Sequence, residues 1–106
     1  MSKSIKDDFT DHLFDAVLLL KNRDECYQFF EDIATVGEIK ALGQRLEVAK
    51  MLRLGATYEE IVEKTGVSTA TISRVKRSLY YGADGYAMIL DRLGIDDSNE
   101  TKEIKG

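Results

Sequence analysis

The sequence predicts an all-α protein built from about six helices. Three observations support this fold class. The 106 residues include no proline, apolar residues recur at spacings of three and four, and Ser, Thr, Asn or Gly stands where the apolar pattern is interrupted, as at helix ends. The length suits one domain with a core of its own.

The first helix is expected over residues 4–21, with Ser4 as its N-cap. Asp7 and Asp8 follow in the first turn, where the helix dipole favours acidic side chains. One face carries an apolar stripe: Ile5, Phe9, Leu13, Ala16, Val17 and Leu20. Three further apolar residues widen it: Phe14, Leu18 and Leu19. Because this stripe is wider than one contact surface needs, we expect the helix to lie between partners, including those of another subunit.

Capping residues indicate where the second and third helices begin. Asn22 precedes Glu25 by three residues, the spacing of a capping box. Thr35 stands in the same relation to Glu38. The second helix is expected to bury Cys26, Phe29, Phe30 and Ile33. The third is expected to bury Ile39, Leu42, Leu46, Ala49 and Leu52, and Gly55 follows it where a left-handed residue ends a helix.

Residues 58–77 combine a short helix, a glycine turn and a second helix. Thr57 and Glu60 form a capping box that starts the short helix. Gly66 supplies the left-handed turn, and Ser68 caps a helix that runs to about residue 80. The residues expected to face inward are Ile61, Val62, Val67, Ile72 and Val75. This pattern is that of the DNA-binding helix-turn-helix, with an ordinary helical hairpin as the alternative.

Gly82 interrupts the pattern, and a last helix is expected over residues 83–93. The residues that it is expected to bury are Tyr86, Ile89, Leu90 and Leu93. The polar sequence that follows predicts a flexible tail. The expected division of the chain is a single helical DNA-binding domain at 1–94, made of dimerisation helices at 1–34 and a helix-turn-helix core at 35–94, and a tail at 95–106.

The formal net charge of −4 by itself argues against nucleic-acid binding. The charge is unevenly distributed, however. Residues 1–35 hold eight acids and four bases, whereas residues 36–81 hold eight bases and five acids. Residues 68–81 contain three bases and no acid. Because phosphate groups respond to the local potential, the middle of the chain remains suited to DNA.

The exposed start of the second helix of the motif is expected to contact DNA. The residues expected to read base edges are Thr69, Ala70 and Ser73. Those expected to contact phosphates are Arg53, Thr71, Arg74, Lys76 and Arg77. Three acids of the short first helix would repel phosphate if they faced it: Glu59, Glu60 and Glu63.

Several short motifs along the chain form a recognisable set: Thr35, ALGQR at 41–45, Gly55, Gly66, ATISR at 70–74, and Ser78 with Leu79. Together they resemble the Trp operon repressor family, most closely its YerC/YecD-like branch. The likeness covers about residues 35–93. It implies six helices, the N-terminal ones interleaved between two subunits of a homodimer. It also implies two DNA half-sites roughly 34 Å apart, a spacing taken from the family's docking geometry.

The resemblance further implies a place for an effector. The positions that hold tryptophan in the family are matched by Thr35, Arg45, Arg74 and Ser78. The family has glycine directly after the arginine matched by Arg74, whereas this chain has Val75. A branched side chain there takes space that the indole needs, so we expect no tryptophan to bind. The expected set of cofactors is empty. Arg45 and Arg74 then hold a different anion, contact phosphate or form surface ion pairs.

Three classes of function follow from these patterns. The residues favour a sequence-specific DNA-binding transcription regulator, a homodimer that reads a short inverted repeat through the helix at about 68–80. The alternative is a protein-interaction module that keeps the motif as a scaffold, supported by the net negative charge, the acidic first helix and the Tyr80–Tyr81 pair. An enzyme is least favoured, because His12 is the single histidine, Cys26 lies on an apolar face, and no phosphate-binding loop or metal-ligand spacing is present.

The sequence also indicates a cytoplasmic protein without membrane contact. Its longest uninterrupted apolar run, residues 16–20, is far shorter than the ~20 residues of a membrane helix. No charged and then apolar leader opens the chain. A single cysteine excludes an internal disulfide.

Overall fold

A computed structural model describes residues 4–96 of the chain. Within that range the chain forms six α-helices and no strand, which confirms the predicted fold class. In chain order they are α1 (Asp8–Val17), α2 (Arg23–Ile33), α3 (Val36–Arg53), α4 (Tyr58–Thr65), α5 (Thr69–Tyr81) and α6 (Gly85–Arg92). Most of the expected tail, residues 97–106, lies outside the described residues.

The first helix is shorter than expected at both ends. It begins after Asp7, whose carboxylate accepts the Thr10 amide at 2.7 Å. Ser4 is therefore not the N-cap, and its hydroxyl accepts an amide in the segment before the helix. At the other end, the amides of Leu19 and Leu20 bond to carbonyls three residues back, which tightens the last turn. The prediction of a helix over 4–21 is wrong at both boundaries.

Side-chain caps start α2 and α3 where the sequence predicts. Asn22 Oδ1 accepts the Glu25 amide at 2.9 Å. The Glu25 carboxylate accepts the Lys21 amide instead of the amide of the cap itself. Thr35 Oγ1 accepts the Glu38 amide at 3.1 Å, and Glu38 Oε1 accepts the Thr35 amide at 2.8 Å. The α3 box is thus complete and the α2 box is displaced by one residue.

The chain divides into two compact units, and the first, residues 1–39, has no fully buried side chain among its described residues. Phe29 and Phe30 pack edge to face in this unit, with ring centroids 5.6 Å apart. Cys26 and Ile33 are exposed in the single chain, although the sequence predicts them to be buried. Other large apolar side chains exposed here are Ile5, Phe9, Phe14, Leu18, Leu19, Tyr27 and Val36. The unit therefore has no core of its own within one chain.

The second unit, from Lys40 onward, contains the core. Its buried residues are Val48 and Ala49 of α3, Ile61 of α4, Ile72, Val75 and Leu79 of α5, and Leu90 of α6. Helix α5 contacts both α4 and α6, so it is the central element of this unit. The expectation that α4 and α5 bury Ile61, Ile72 and Val75 is confirmed.

Five apolar residues expected in this core are exposed: Leu42, Leu46, Val62, Ile89 and Leu93. On α3 the fully buried residues, Val48 and Ala49, both lie in the C-terminal half, and Leu42 and Leu46 precede them. On α4, burial of Ile61 turns its neighbour Val62 about 100° away from the core. The apolar pattern identified the helices correctly but misjudged which part of each face is covered.

The last helix begins two residues later than expected. Asp84 adopts a left-handed conformation with φ of 67°, and α6 starts at Gly85. Ile95, expected in the tail, packs against the core. Its carbonyl accepts a hydrogen bond from Arg53 Nη1 at 3.0 Å. The packed part of the chain thus continues past the predicted domain end at residue 94.

Candidate nucleic-acid interface

Local hydrogen bonds build the helix-turn-helix from α4, a turn and α5. Thr57 and Glu60 form a complete capping box at the start of α4. Gly66 ends that helix with φ of 75°. Ser68 Oγ accepts the Thr71 amide at 3.1 Å and starts α5. Because no acid lies in the first turn of α5, the positive end of its helix dipole is not neutralised there.

The three base-reading candidates lie together at the start of α5. Thr69, Ala70 and Ser73 are all exposed. The opposite face of the helix is anchored by Ile72, Val75 and Leu79, which are buried. Side chains three and four residues apart share a helix face, so Thr69 and Ser73 are neighbours on one side. The core therefore holds α5 with these small side chains outward.

The phosphate candidates on α5 have different surroundings. Arg74, Lys76 and Arg77 are exposed, and none of them forms an ion pair within residues 4–96. Thr71 is half-buried, and its hydroxyl oxygen accepts a hydrogen bond from Ser68 Oγ at 3.1 Å. The three cations are free to meet phosphate oxygens, whereas Thr71 is partly engaged in the cap of its own helix.

Arg53, the fifth phosphate candidate, is occupied within the protein. Its Nη1 lies 2.6 Å from the Asp91 carboxylate and also donates to the Ile95 carbonyl. The Arg53 side chain is only 14% exposed. It joins the end of α3 to the end of α6, so we do not include it in the proposed DNA contacts.

Of the three acids of α4, Glu60 is engaged in a hydrogen bond at the start of its own helix. The Glu60 carboxylate accepts the Thr57 amide at 2.7 Å, and this bond lowers the pKa of the Glu60 carboxyl below its ordinary value. Lys64 of the same helix pairs with Glu47 of α3 at 2.9 Å. Glu59 and Glu63 are exposed, with no such partner among the described residues.

Tyr58 contacts two of the candidates and is missed by sequence reasoning. Its hydroxyl lies 3.3 Å from Ser73 Oγ. The Lys76 ammonium lies 6.0 Å from the centroid of the Tyr58 ring. Tyr58 and Ser73 are fifteen residues apart and on different helices. The only sequence signal is a polar aromatic residue directly after the cap of the first helix.

A cavity of about 280 Å³ opens along α5. The residues that line it are Arg45, Thr71, Arg74, Val75, Ser78 and Tyr86. Three of the four effector candidates, Arg45, Arg74 and Ser78, thus meet at one cavity. Thr35 belongs to the first unit, where its hydroxyl caps α3. The sequence predicts Tyr86 only as a core residue and does not indicate its place in this lining.

The lining of this cavity combines positive charge with hydroxyl groups. Neither Arg45 nor Arg74 pairs with a carboxylate within residues 4–96. Val75 is 2% exposed and adds a branched apolar wall. Guanidinium groups bind carboxylate and phosphate oxygens with paired hydrogen bonds, so the cavity is chemically suited to a small oxyanion.

The described part of the chain offers no metal-binding cluster and no membrane-spanning helix. Residues 4–96 bring no three His, Cys, Asp or Glu side chains together in an arrangement that would hold a metal ion. None of the six helices is both long enough and apolar enough to cross a bilayer.

Comparisons with known proteins agree with this fold and motif. The family model described as Trp repressor protein matches residues 9–94. YerC of Bacillus subtilis (strain 168), an uncharacterized protein, is 60% identical over 83 residues, which are 78% of this chain and 80% of that protein. Two crystal structures are each 58% identical to the chain. One is of a Staphylococcus aureus protein proposed to be a Trp repressor; its TM-score is 0.83, and the match covers 88% of this chain and 93% of that protein's chain. The other is of a TrpR-like protein from Eubacterium eligens ATCC 27750; its TM-score is 0.84, and the match covers 87% of this chain and 95% of that protein's chain.

Proposed function

Because the chain belongs to the Trp repressor protein family, whose members are helix-turn-helix DNA-binding regulators and not enzymes, we propose that it acts as a homodimer that reads a short inverted repeat. The observation that carries this proposal is α5, which has a buried face on the core and an outward face of small polar and basic side chains. A two-fold dimer of such helices would meet two half-sites one helical turn apart.

The proposed contacts divide by chemistry into base reading and phosphate binding. Thr69, Ala70 and Ser73 read base edges, because their side chains are short enough for α5 to approach the major groove closely. Arg74, Lys76 and Arg77 bind phosphate and set the register of the helix on the duplex. Thr71 adds a hydroxyl at the start of the same helix, where the unneutralised dipole attracts phosphate.

Support for the homodimer comes from the first unit. Phe9 is 86% exposed and Leu18 is 81% exposed in the single chain. Isolated exposed apolar residues are common, but this unit exposes many and buries none fully among its described residues. We propose that a second copy of the chain covers them, in the interleaved arrangement that the family implies.

We also propose that the cavity beside α5 takes a small carboxylate or phosphate instead of tryptophan. Arg45 and Arg74 supply the positive charge, and Val75 reduces the space for a large aromatic ring. Four lining residues are on α5 itself, so an anion bound there would act directly on the helix that meets DNA.

Selection of bound duplexes from a random pool tests the DNA function. The expected result is an inverted repeat, bound with an affinity that falls steeply as salt rises. Lys76→Glu and Arg77→Glu are expected to weaken binding to selected and random DNA alike. Lys6→Glu changes the net charge equally but lies before α1, and it is expected to have little effect. Recovery of no common sequence, with affinities unchanged by both α5 substitutions, would contradict the proposal.

The protein-interaction module remains the second candidate, because Tyr80 and Tyr81 are exposed at the end of α5. It predicts a stable protein complex that Tyr81→Ala weakens, with no selected DNA sequence. If Tyr81→Ala keeps the protein complex and the wild-type chain selects a common DNA sequence, this candidate is wrong.

A further inference from the structure

The Tyr58 side chain, at the start of α4, contacts both a base-reading candidate and a phosphate candidate of α5. Its hydroxyl meets Ser73, a base-reading candidate, at 3.3 Å. Its ring lies beside Lys76, a phosphate candidate, with 6.0 Å between the ammonium and the ring centroid, at the limit of a cation–π contact. Ser73 and Lys76 are three residues apart, so both lie on one side of α5.

The position of Tyr58 in α4 makes it a fixed support. It is the first residue after the Thr57 cap. Two reciprocal hydrogen bonds between Thr57 and Glu60 close this turn. The Tyr58 side chain is half-buried and packs against the core cluster. Packing against the core restricts the positions of the phenol. The serine hydroxyl that it contacts can otherwise rotate among staggered positions.

We propose that Tyr58 is a positioning residue that sets the direction of the Ser73 hydroxyl toward the DNA bases. This inference rests on the proposed function. A serine hydroxyl has one donor hydrogen and two acceptor lone pairs. The hydrogen bond to Tyr58 uses one of these three hydrogen-bonding groups of Ser73. The remaining two then point in fixed directions. In a helix, an unsupported serine hydroxyl can instead bond to the carbonyl four residues back, which would withdraw it from the interface.

The ring of Tyr58 has a separate effect through Lys76. Contact with the ring keeps the ammonium beside the same patch of α5 as the Ser73 hydroxyl. Removal of the phenol oxygen alone should therefore change base discrimination and leave phosphate binding as it is. This separation distinguishes a positioning role from a general loss of structure.

The test compares Tyr58→Phe with wild type on the DNA selected by the wild-type chain, on single-base variants of it and on random duplex. Tyr58→Phe keeps the ring and loses the hydroxyl. Affinity for the selected DNA is expected to fall by about three- to tenfold, the effect of one hydrogen bond. Affinity for random duplex, and the dependence of binding on salt, should not change. Tyr81→Phe removes the same atom from an exposed tyrosine of α5 and should leave all these values unchanged.

Ser73→Ala completes a double-mutant cycle. If Tyr58 acts through Ser73, the double variant should bind the selected DNA no more weakly than Ser73→Ala alone. Additive losses, or an equal loss on selected and random DNA, would overturn the role of Tyr58. If Tyr58→Phe has no effect while the wild-type chain discriminates between sequences, the role of Tyr58 fails and the proposed function stands. Wild-type binding without sequence preference would overturn both.

Discussion

Val75 belongs both to the core and to the wall of the cavity beside α5. Its side chain is 2% exposed, and it lies among Arg45, Arg74 and Ser78 in the cavity lining. The resemblance to the family implies glycine at this position, so the added isopropyl group of Val75 is the chemical difference that matters for a ligand. Because a buried valine side chain packs into the core, we expect it to reduce the room for an indole.

We predict that Val75→Gly allows the chain to bind free tryptophan, which the wild type should not bind. Glycine within a helix costs about 1 kcal/mol of stability, in addition to the loss of the methyl contacts. Binding can be followed by the fluorescence of the ligand, because the chain has no tryptophan of its own.

Val75→Ala is the matched control for this substitution. It keeps the Cβ atom, so it should remain folded and bind tryptophan more weakly than Val75→Gly, or not at all. Tryptophan binding by the wild-type chain, or no binding by a folded Val75→Gly variant, would contradict the steric argument.

Arg53 has a different role in the structure from the one that its sequence position suggests. As a base near the end of a basic helix it is a reasonable phosphate ligand. Its guanidinium is instead held by Asp91 and by the Ile95 carbonyl. Asp91 and Ile95 are 38 and 42 residues away in sequence, so local patterns give no indication of these contacts.

At the scale of the elements, the turn between α4 and α5 depends on Gly66. Its φ of 75° lies in the left-handed region, and a Cβ added there would meet no heavy atom within 4 Å. The requirement for glycine is therefore one of backbone conformation and not of space. The turn also follows the capping box of α4, so both ends of this short helix are determined locally.

We predict that Gly66→Ala destabilises the fold by about 1 kcal/mol, because a Cβ disfavours the left-handed conformation. Gly66→Asn should cost less, since asparagine adopts that conformation more readily. The measurement is the free energy of unfolding in urea for the two variants and the wild type. Equal losses in both variants would show that something other than φ is responsible.

The capping boxes also predict how stability depends on pH. The pKa of Glu60 is lowered by its bond from the Thr57 amide, and the pKa of Glu38 is lowered in the same way by the Thr35 amide. A carboxyl whose pKa is lower in the folded state stabilises the fold fully above its unfolded pKa, near 4.5. This contribution is lost as the pH falls through the lowered value.

We therefore predict that Glu60→Gln reduces the fall in melting temperature between about pH 6 and pH 3. Glutamine can still accept the cap hydrogen bond but does not titrate in this range. Glu63→Gln on the same helix, where no cap bond is made, is the control. If both variants flatten the pH profile equally, the effect does not come from the capping box.

At the scale of the whole molecule, the net charge of −4 hides two opposite regions. The acids are concentrated in residues 1–35, and the bases in residues 36–81. Within the basic region, Glu60 is bonded to a helix cap and Glu47 to Lys64. The exposed cations of α5 have no such partner in the described chain, so the local potential there is more positive than the average implies.

The first unit leads to a prediction about assembly. Leu18→Asp places a charge at an apolar residue that is 81% exposed in one chain. If a second copy covers it, the charge should shift the protein from dimer to monomer in sedimentation experiments, because an unpaired buried charge is costly.

The same variant should lose affinity for an inverted repeat more than for a single half-site. Leu54→Asp changes an exposed leucine of the second unit and should leave the sedimentation mass of the dimer unchanged. A Leu18→Asp protein that stays dimeric would locate the interface elsewhere, and a monomeric wild type would contradict the dimer.

The sequence alone was sufficient to predict the six helices, the caps at Asn22, Thr35, Thr57 and Ser68, and the turn at Gly66. It was also sufficient for the inward faces of α4 and α5 at Ile61, Ile72 and Val75. These features depend on hydrogen bonds between residues a few positions apart and on the 3.6-residue period of the helix. Both can be predicted from residues that are close together in the sequence. The outward position of Thr69, Ala70 and Ser73 follows from the same period.

Only the tertiary structure decided which of several apolar faces is covered, and which polar groups find distant partners. It left Leu42 and Val62 exposed, engaged Arg53, and brought Tyr58 to Ser73. It also gathered Arg45, Arg74 and Tyr86 around one cavity. These outcomes depend on contacts between helices that are far apart along the chain. The periodicity of each helix identifies a face but does not specify which other helix packs against it.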